Sequence, residues 1–443
     1  MRVALAIALM VAGSRVHAAP PDAERVHITL GSDALGTARA VSGQVDAHLE
    51  VLGQSGPVAI AAVDAEDLDA LSHAMHEHHD RCGGFMVHDS FEDAQAALIP
   101  TRSAAPPDYT LDRAPQVTAA LAILDRERIA NTIRELSAMR NRYYRSEHGA
   151  AASTWLRDRW MGFSNRPDLT FELVDHGYAQ RSVVMTLRGS TRADEIVVIG
   201  GHLDSIAIGG SSANAPGADD DASGIATLTE IARVLLAKNY RPERTLKFMA
   251  YAAEEVGLRG SLSIAKAYRE RGINVVGVLQ LDMTNYRGSD RDIWLIDDFT
   301  NKPQNRFLAA LIETYTDATW GSDVCGYACS DHAAWTRYGF AASMPFESRA
   351  HERNKKIHTA RDTLETSGGN ADHAVKFAAL GLAYAIELGK GALALESPQP
   401  PRHASTVRNA PPRAPQTDGR RVLAISGAVL LLFAASRLTR RVQ

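Results

Sequence analysis

The chain has few cysteines, no excess of basic residues and no apolar run as long as an ordinary membrane span. Its 443 residues include only 3 cysteines, which excludes a small domain held together by disulfides. The 48 Lys and Arg against 52 Asp and Glu give a net charge of −4, so nucleic acid is a poor candidate partner. With 45% hydrophobic and 23% charged residues, the composition is that of a globular protein long enough for two or three domains.

Both ends of the chain carry targeting signals. Residues 1–18 combine a basic start, a short apolar stretch and a small-residue ending, which predicts a cleaved signal peptide and an exported, periplasmic or extracellular protein. Residues 397–421 form a Pro-rich linker, and residues 422–443 form a hydrophobic segment with a basic tip. Its apolar run of about 15 residues is short against the ~20 of a spanning helix, so it is predicted to be a membrane anchor or a sorting tail.

Between the ends, strand and helix patterns alternate. Apolar strand-like stretches at 195–200, 245–251 and 274–281 are separated by stretches of helical periodicity at 222–238 and 261–271. This alternation predicts an α/β fold with a mostly parallel central sheet flanked by helices on both faces. In such sheets, sites form beyond the carboxyl ends of the strands.

Five separated segments place His, Asp or Glu just after these strands or in a following loop. They are centred on His202 and Asp204, on Asp219 to Asp221, on Glu254 and Glu255, on Asp282, and on His358 and Asp362. The three adjacent aspartates repel one another without a neighbouring counter-charge, which indicates a bound cation. Histidines and carboxylates with no cysteine beside them suit Zn²⁺, with Mn²⁺ or Co²⁺ as alternatives. The number of ligands fits two metals roughly 3.5–4 Å apart that share a carboxylate.

In this order, the segments resemble those of the co-catalytic zinc aminopeptidases, the bacterial leucyl aminopeptidases of the M28 peptidase family. The likeness runs over about residues 131–389 and includes the stretches 325–332 and 344–348. It implies a zinc-peptidase α/β/α sandwich with a propeptide at 19–107 and a catalytic domain at 108–396. It also implies a monomeric zymogen that a maturation protease activates. The mature enzyme would hydrolyse the N-terminal peptide bond of peptides and proteins whose first residue is large and apolar.

The resemblance assigns two Zn²⁺ ions and their ligands. His202 and Asp282 would hold one zinc, and Glu255 and His358 would hold the other. Asp220 would bridge both ions, and the peptide bond that follows it would be cis.

The resemblance also assigns residues around the metals. Glu254 would be the general base that activates a metal-bridging hydroxide. Asp204 would accept the second ring N–H of His202, and Ser330 would hydrogen-bond a ligand carboxylate. An apolar pocket for the first side chain would be lined by Tyr327, Met283, Ile357 and Phe346. Cys325 and Cys329 are predicted to form a disulfide, because a metal pair would need two further ligands that their neighbourhood does not supply.

The segment before the catalytic domain contains Cys82 and a cluster of three histidines, His76, His78 and His79. One hypothesis is that Cys82 or this cluster binds an active-site zinc in the latent form. Nothing in the spacing directs these side chains to the site, so the sequence favours a solvated, His-rich loop and a free thiol at Cys82.

Three other functions are compatible with this scaffold. A carboxypeptidase or dipeptidase would use the same metals, but Met283 and Ile357 speak against acidic recognition there. A glutaminyl cyclase would hold one zinc. A receptor-like ectodomain would have lost catalysis, which the intact Glu254 and full ligand set disfavour.

Overall fold

The computed structural model describes residues 24–42, 49–99 and 107–393. The predicted signal peptide, Pro-rich linker and C-terminal hydrophobic segment lie outside these ranges. Within them, no helix has both the length and the apolar character needed to cross a membrane. Residues 24–99 and 107–393 belong to one compact unit of the structure. The division into a propeptide and a catalytic domain therefore stays a prediction.

Residues 24–99, called the N-terminal segment below, form an antiparallel sheet in the order β2-β3-β1-β4. Its elements are β1 Arg25–Gly31, α1 Leu35–Ser42, β2 Glu50–Ser55, β3 Val58–Asp64, α2 Leu68–His79, β4 Phe85–His88 and α3 Phe91–Ala97. The apolar core of this segment continues into later parts of the chain, because Ile28 and Met75 belong to the same buried cluster as Tyr144 and Val256. The N-terminal segment therefore packs against residues of the range 107–393.

Residues 107–393 form the predicted α/β layers. Their elements are α4 Ala114–Leu121, α5 Arg126–Ser137, α6 Glu147–Met161, β5 Leu169–Val174, β6 Ser182–Leu187, β7 Arg192–His202, α7 Ala222–Ala237, β8 Arg244–Tyr251, α8 Arg259–Glu270, β9 Asn274–Gln280, β10 Ile293–Ile296, α9 Lys302–Tyr315, β11 Trp320–Asp323, α10 His332–Arg337, β12 Ala342–Ser343, β13 Pro345–Phe346 and α11 Ala374–Gly389. The central sheet has the order β12-β9-β7-β8-β6-β5 and is parallel from β12 to β8. Strands β6 and β5 are antiparallel, and β10, β11 and β13 form a second, small sheet.

Both faces of the central sheet are buried. In β7, Val197 and Ile199 belong to the larger apolar cluster, which includes α7 and α11, whereas Val198 belongs to the cluster on the other face. Alternate side chains of a strand point to opposite faces, so a run of apolar residues needs helices on both. The predicted fold class is confirmed.

Candidate metal centre

The carboxyl ends of three adjacent parallel strands carry the predicted site residues. His202 is the last residue of β7, Glu254 and Glu255 follow β8, and Asp282 follows β9. Because parallel strands end at the same edge of a sheet, these residues meet there. The loop before α7 adds Asp220, and a later loop adds His358. All are at most 5% exposed.

The two histidines face different oxygens of Asp220. Nε2 of His202 lies 2.9 Å from Asp220 Oδ1, and Nε2 of His358 lies 3.3 Å from Asp220 Oδ2. Asp282 Oδ1 is 3.5 Å from the first ring nitrogen, and Glu255 Oε2 is 2.7 Å from the second. The side chains thus form two groups of potential ligands joined by one carboxylate.

Many of these atoms are buried without a hydrogen-bond partner. Among the described residues, this applies to Nε2 of both His202 and His358, to Oδ2 of Asp220 and to both carboxylate oxygens of Glu255. Buried polar atoms are normally satisfied, because an unpaired one costs free energy. A cation would satisfy all of them at once, and imidazole and carboxylate donors fit Zn²⁺. The residues present therefore fit a metal centre.

The titration of the site in the absence of metal also shows that it needs positive charge. Burial raises the pKa of Glu255 to about 7 and raises that of Glu254 well above its usual range. Burial lowers the pKa of His358, but the carboxylates of Glu255 and Asp220 outweigh it and raise this pKa to about 10. These shifts show that the buried carboxylates and histidines favour positive charge between them.

Glu254 and Glu255 are adjacent but point to different places. Glu255 faces His358, whereas Glu254 lines the open cavity with its Oε2 3.9 Å from His202 Nε2. The backbone N–H groups of both residues donate to the carboxylate of Asp204, at 3.0 and 3.2 Å. Asp204 therefore holds the turn that presents the pair.

Asp204 and Ser330 lie beside the residues that the sequence analysis expected them to support. Nδ1 of His202 is 3.2 Å from the backbone carbonyl of Asp204 and 3.5 Å from its carboxylate, so the ring N–H faces both acceptors of this residue. Ser330 accepts a hydrogen bond from the Gln280 side chain at 3.2 Å, and its contact with a ligand carboxylate stays a prediction. The contacts of both residues depend on tertiary packing that segment order does not encode.

Asp221 is a site residue to which the sequence analysis assigned no role. Its Oδ2 accepts from the backbone of His202 at 3.0 Å, and its Oδ1 accepts from those of Gly224 at 2.8 Å and Met283 at 3.1 Å. It is also the N-cap of α7, a position that favours Asp and could have been predicted from the sequence. The peptide bond between Asp220 and Asp221 is cis, as the resemblance implied.

Arg142 is the second residue that sequence analysis missed. It is fully buried and donates to the backbone carbonyls of Leu203, Pro216 and Gly217 at 2.6–2.9 Å. It thus joins the chain after β7 to the loop that carries the aspartates. No local signal could reveal this role, because its partners are 61–75 residues away.

An apolar wall lies beside the carboxylates and histidines. The predicted pocket residues Met283, Ile357 and Phe346 belong to one buried cluster, and Tyr327 packs against it. A cavity of about 410 Å³ separates this wall from the site. Cys325 and Cys329 form the predicted disulfide, with an S–S distance of 2.14 Å, at the rim of the cavity.

The N-terminal segment reaches the same cavity. The backbone N–H of Cys82 donates to Oη of Tyr327 at 2.8 Å. The His-rich stretch lies in α2, and the ring of His76 lies 4.6 Å from that of His358. The interpretation of this stretch as a solvated loop is therefore wrong, because folding brings residues distant in sequence to the site.

Comparisons with known proteins identify the family of this chain. Residues 182–383 match the model of Peptidase family M28. Leucine aminopeptidase 1 of Penicillium rubens is 31% identical over 318 residues, which cover 68% of this chain and 82% of that protein. The chain belongs to the M28 peptidase family. This M28 peptidase is therefore a hydrolase, namely a metallo-aminopeptidase.

Solved structures extend the similarity of this M28 peptidase. LapB of Legionella pneumophila is 30% identical with a TM-score of 0.71, and the match covers 83% of this chain and 100% of that one. The LapA aminopeptidase of the same organism has 26% identity and the same TM-score, with 83% and 99% of the two chains covered.

Proposed function

We propose that this aminopeptidase is an exported di-zinc enzyme that removes large apolar, leucine-type residues from the N-terminus of peptides. The observation that carries the proposal is the position of Asp220 between two histidines, with one carboxylate oxygen facing each. One group of ligands would be His202 and Asp282, and the other would be Glu255 and His358. Asp220 would belong to both groups.

Two divalent ions held by these residues would polarise the substrate carbonyl and lower the pKa of a bound water from about 15.7 towards about 7. Glu254 is the carboxylate left over from the ligand set, and it lines the cavity. It accepts a proton from the attacking water and returns it to the leaving amine. Asp204 fixes the backbone of Glu254, so that the carboxylate stays aimed at the reacting atoms.

The preference for leucine-type residues rests on the apolar wall. Met283, Ile357 and Phe346 are almost completely buried and lie beside Tyr327. An apolar side chain placed against them would leave water without burying an unpaired polar group. The names of the fungal relatives, leucine aminopeptidase 1, support the same preference.

The proposal is tested by comparing a leucyl amide with its N-acetylated twin. The protein is secreted through an oxidising compartment and processed to residues 108–396. We expect cleavage of the free-amine substrate only, loss of activity with a chelator and recovery with zinc at two ions per chain. Cleavage of neither substrate by a folded protein that holds two zinc ions would refute the proposal.

A variant tests the role of Glu254. Glu254→Gln keeps the size of the side chain but cannot take up the proton, so kcat should fall by about 10²–10⁴-fold. Its zinc content should stay at two per chain, because Glu254 is not a ligand in this proposal. A variant with unchanged kcat would contradict the assignment.

Export, removal of residues 19–107 and attachment through residues 422–443 rest on the sequence alone. Cell fractionation and N-terminal sequencing of the mature protein test them. A mature protein that begins at Met1 inside the cytoplasm would contradict all three.

A further inference from the structure

The chain between α2 and β4 lines the cavity of the proposed metal centre. Four consecutive residues of this stretch are among those that line the cavity, namely His79, Asp80, Arg81 and Cys82. The next residue, Gly83, passes so close that a Cβ there would be 3.6 Å from the backbone oxygen of Glu255. The stretch therefore forms part of the wall of the cavity that borders the proposed ligands.

Ion pairs on both sides hold this stretch in place. Asp80 pairs with Arg353 at 3.0 Å and with Lys355 at 2.6 Å, both from the later part of the chain. Arg81 makes a two-pronged contact with Asp33 of the N-terminal segment, at 2.7 and 3.2 Å. Just after these two anchors the chain turns sharply, and the backbone N–H of Gly84 donates to the carbonyl of Cys82 at 2.5 Å. Gly83 and Gly84 allow this with φ of +57° and +79°, values that other residues rarely adopt.

The turn brings Cys82 to the site. Its Sγ, a carboxylate oxygen of Asp220 and a ring nitrogen of His358 all lie within 4.8 Å of one another. Asp220 Oδ2 and His358 Nε2 are buried and have no hydrogen-bond partner among the described residues. Cys82 is also the single cysteine left over from the disulfide. Three ligand atoms of types that zinc accepts therefore converge on one point.

We propose that, in the uncleaved protein, the Cys82 thiolate is a ligand of the metal at Glu255 and His358 and keeps the enzyme latent. The inference rests on the metal centre proposed above. On binding, the thiol proton passes to bulk water and the sulfur takes the position that the attacking water needs. At the same time, the backbone N–H of Cys82 donates a hydrogen bond to the hydroxyl of Tyr327. Proteolytic removal of the N-terminal segment takes the sulfur away and opens the site.

X-ray absorption at the zinc edge tests the inference on the uncleaved full chain. Zinc content is measured on the same samples. We expect a zinc–sulfur distance of about 2.3 Å in the wild type and only nitrogen and oxygen neighbours in Cys82→Ser. Mass spectrometry without reductant verifies that the Cys325–Cys329 disulfide is intact and contributes no thiolate.

The outcomes separate this inference from the proposed function. Two zinc ions per chain without a sulfur neighbour in the wild type would overturn the inference and leave the proposed function standing. A wild-type chain that binds no zinc would overturn both. Alkylation gives a second readout that needs no variant. Cys82 should be protected with zinc present and modified after a chelator, and equal modification in both states would refute ligation.

Latency is tested with a matched control. Cys82→Ser should raise the leucyl-amide activity of the uncleaved chain. Asp33 lies outside the cavity and pairs with Arg81, so Asp33→Asn weakens one contact that holds the stretch but keeps the Cys82 thiol. This variant should stay as inactive as the wild type. Equal activation by both variants would show that docking of the stretch, rather than the sulfur, keeps the enzyme inactive.

Discussion

The carboxylate of Asp221 joins three parts of the metal centre, and its removal gives the sharpest test of the geometry. It accepts backbone hydrogen bonds from His202, from Gly224 at the start of α7 and from Met283. Asp221→Asn keeps the shape of the side chain but replaces one oxygen by an NH₂ group. At least one backbone N–H then meets a donor instead of an acceptor.

The size of the effect follows from which N–H group is left unpaired. If the amide oxygen of the Asp221→Asn side chain keeps the hydrogen bonds from Gly224 and Met283, the backbone N–H of His202 loses its acceptor. This N–H lies in the buried interior of the site. An unsatisfied buried donor costs about 1–3 kcal/mol of unfolding free energy. The opposite orientation orphans two donors and costs more. Because His202 is a proposed ligand, zinc affinity should also fall by about 10–100-fold.

Urea unfolding of the metal-free protein measures the stability change, and competition with a chelator measures zinc affinity. Asp125→Asn is the matched control. Asp125 is the N-cap of α5 and accepts from the backbone of Glu127 at 2.9 Å, away from the site. Asn caps helices about as well as Asp, so the control should change stability by less than about 0.5 kcal/mol. An Asp221→Asn variant as stable as this control, with unchanged zinc affinity, would refute the reasoning.

Three further predictions concern packing, pH and metal. Gly224→Ala would place a Cβ 2.3 Å from the carbonyl oxygen of Leu281 and should cost about 1–3 kcal/mol, whereas Gly36→Ala meets nothing within 4 Å and should gain about 0.5–1 kcal/mol in urea unfolding. A change of the same sign in the unfolding free energy of both variants would contradict this reasoning. Asp292 is buried, but its hydrogen bond from Lys376 helps lower its pKa to about 2. Its unfolded pKa is about 3.9, so the stability lost in Asp292→Asn should be full above about pH 4 and vanish as the pH falls through about 2. Thermal unfolding of the wild type and Asp292→Asn across that pH range measures this loss. A stability difference that does not change with pH would contradict the prediction. Zinc at 100 times its Kd should stabilise the metal-free protein by about 2.7 kcal/mol, and an unchanged melting temperature would argue against binding to the folded site.

The α/β layers and the order of the ligands were predictable from the sequence. The apolar run that became β7 has alternate residues in clusters on opposite faces, and the following helices show the expected periodicity. Since parallel strands end at one edge, segments after β7, β8 and β9 had to meet there. The disulfide could also be predicted from the sequence, because its two cysteines are four residues apart.

By itself, then, the sequence determined the fold class and the family, because both depend on local periodicity and on motifs read along the chain. Only the tertiary structure decided which atoms face each other inside the site. Arg142 and Cys82 contact partners far along the chain, and the carboxylate of Asp204 accepts from the backbone of Glu254, 50 residues away. These contacts depend on how loops fold over the sheet edge. Loop paths are set by buried hydrogen bonds and ion pairs between distant residues, which leave no periodic pattern in the sequence.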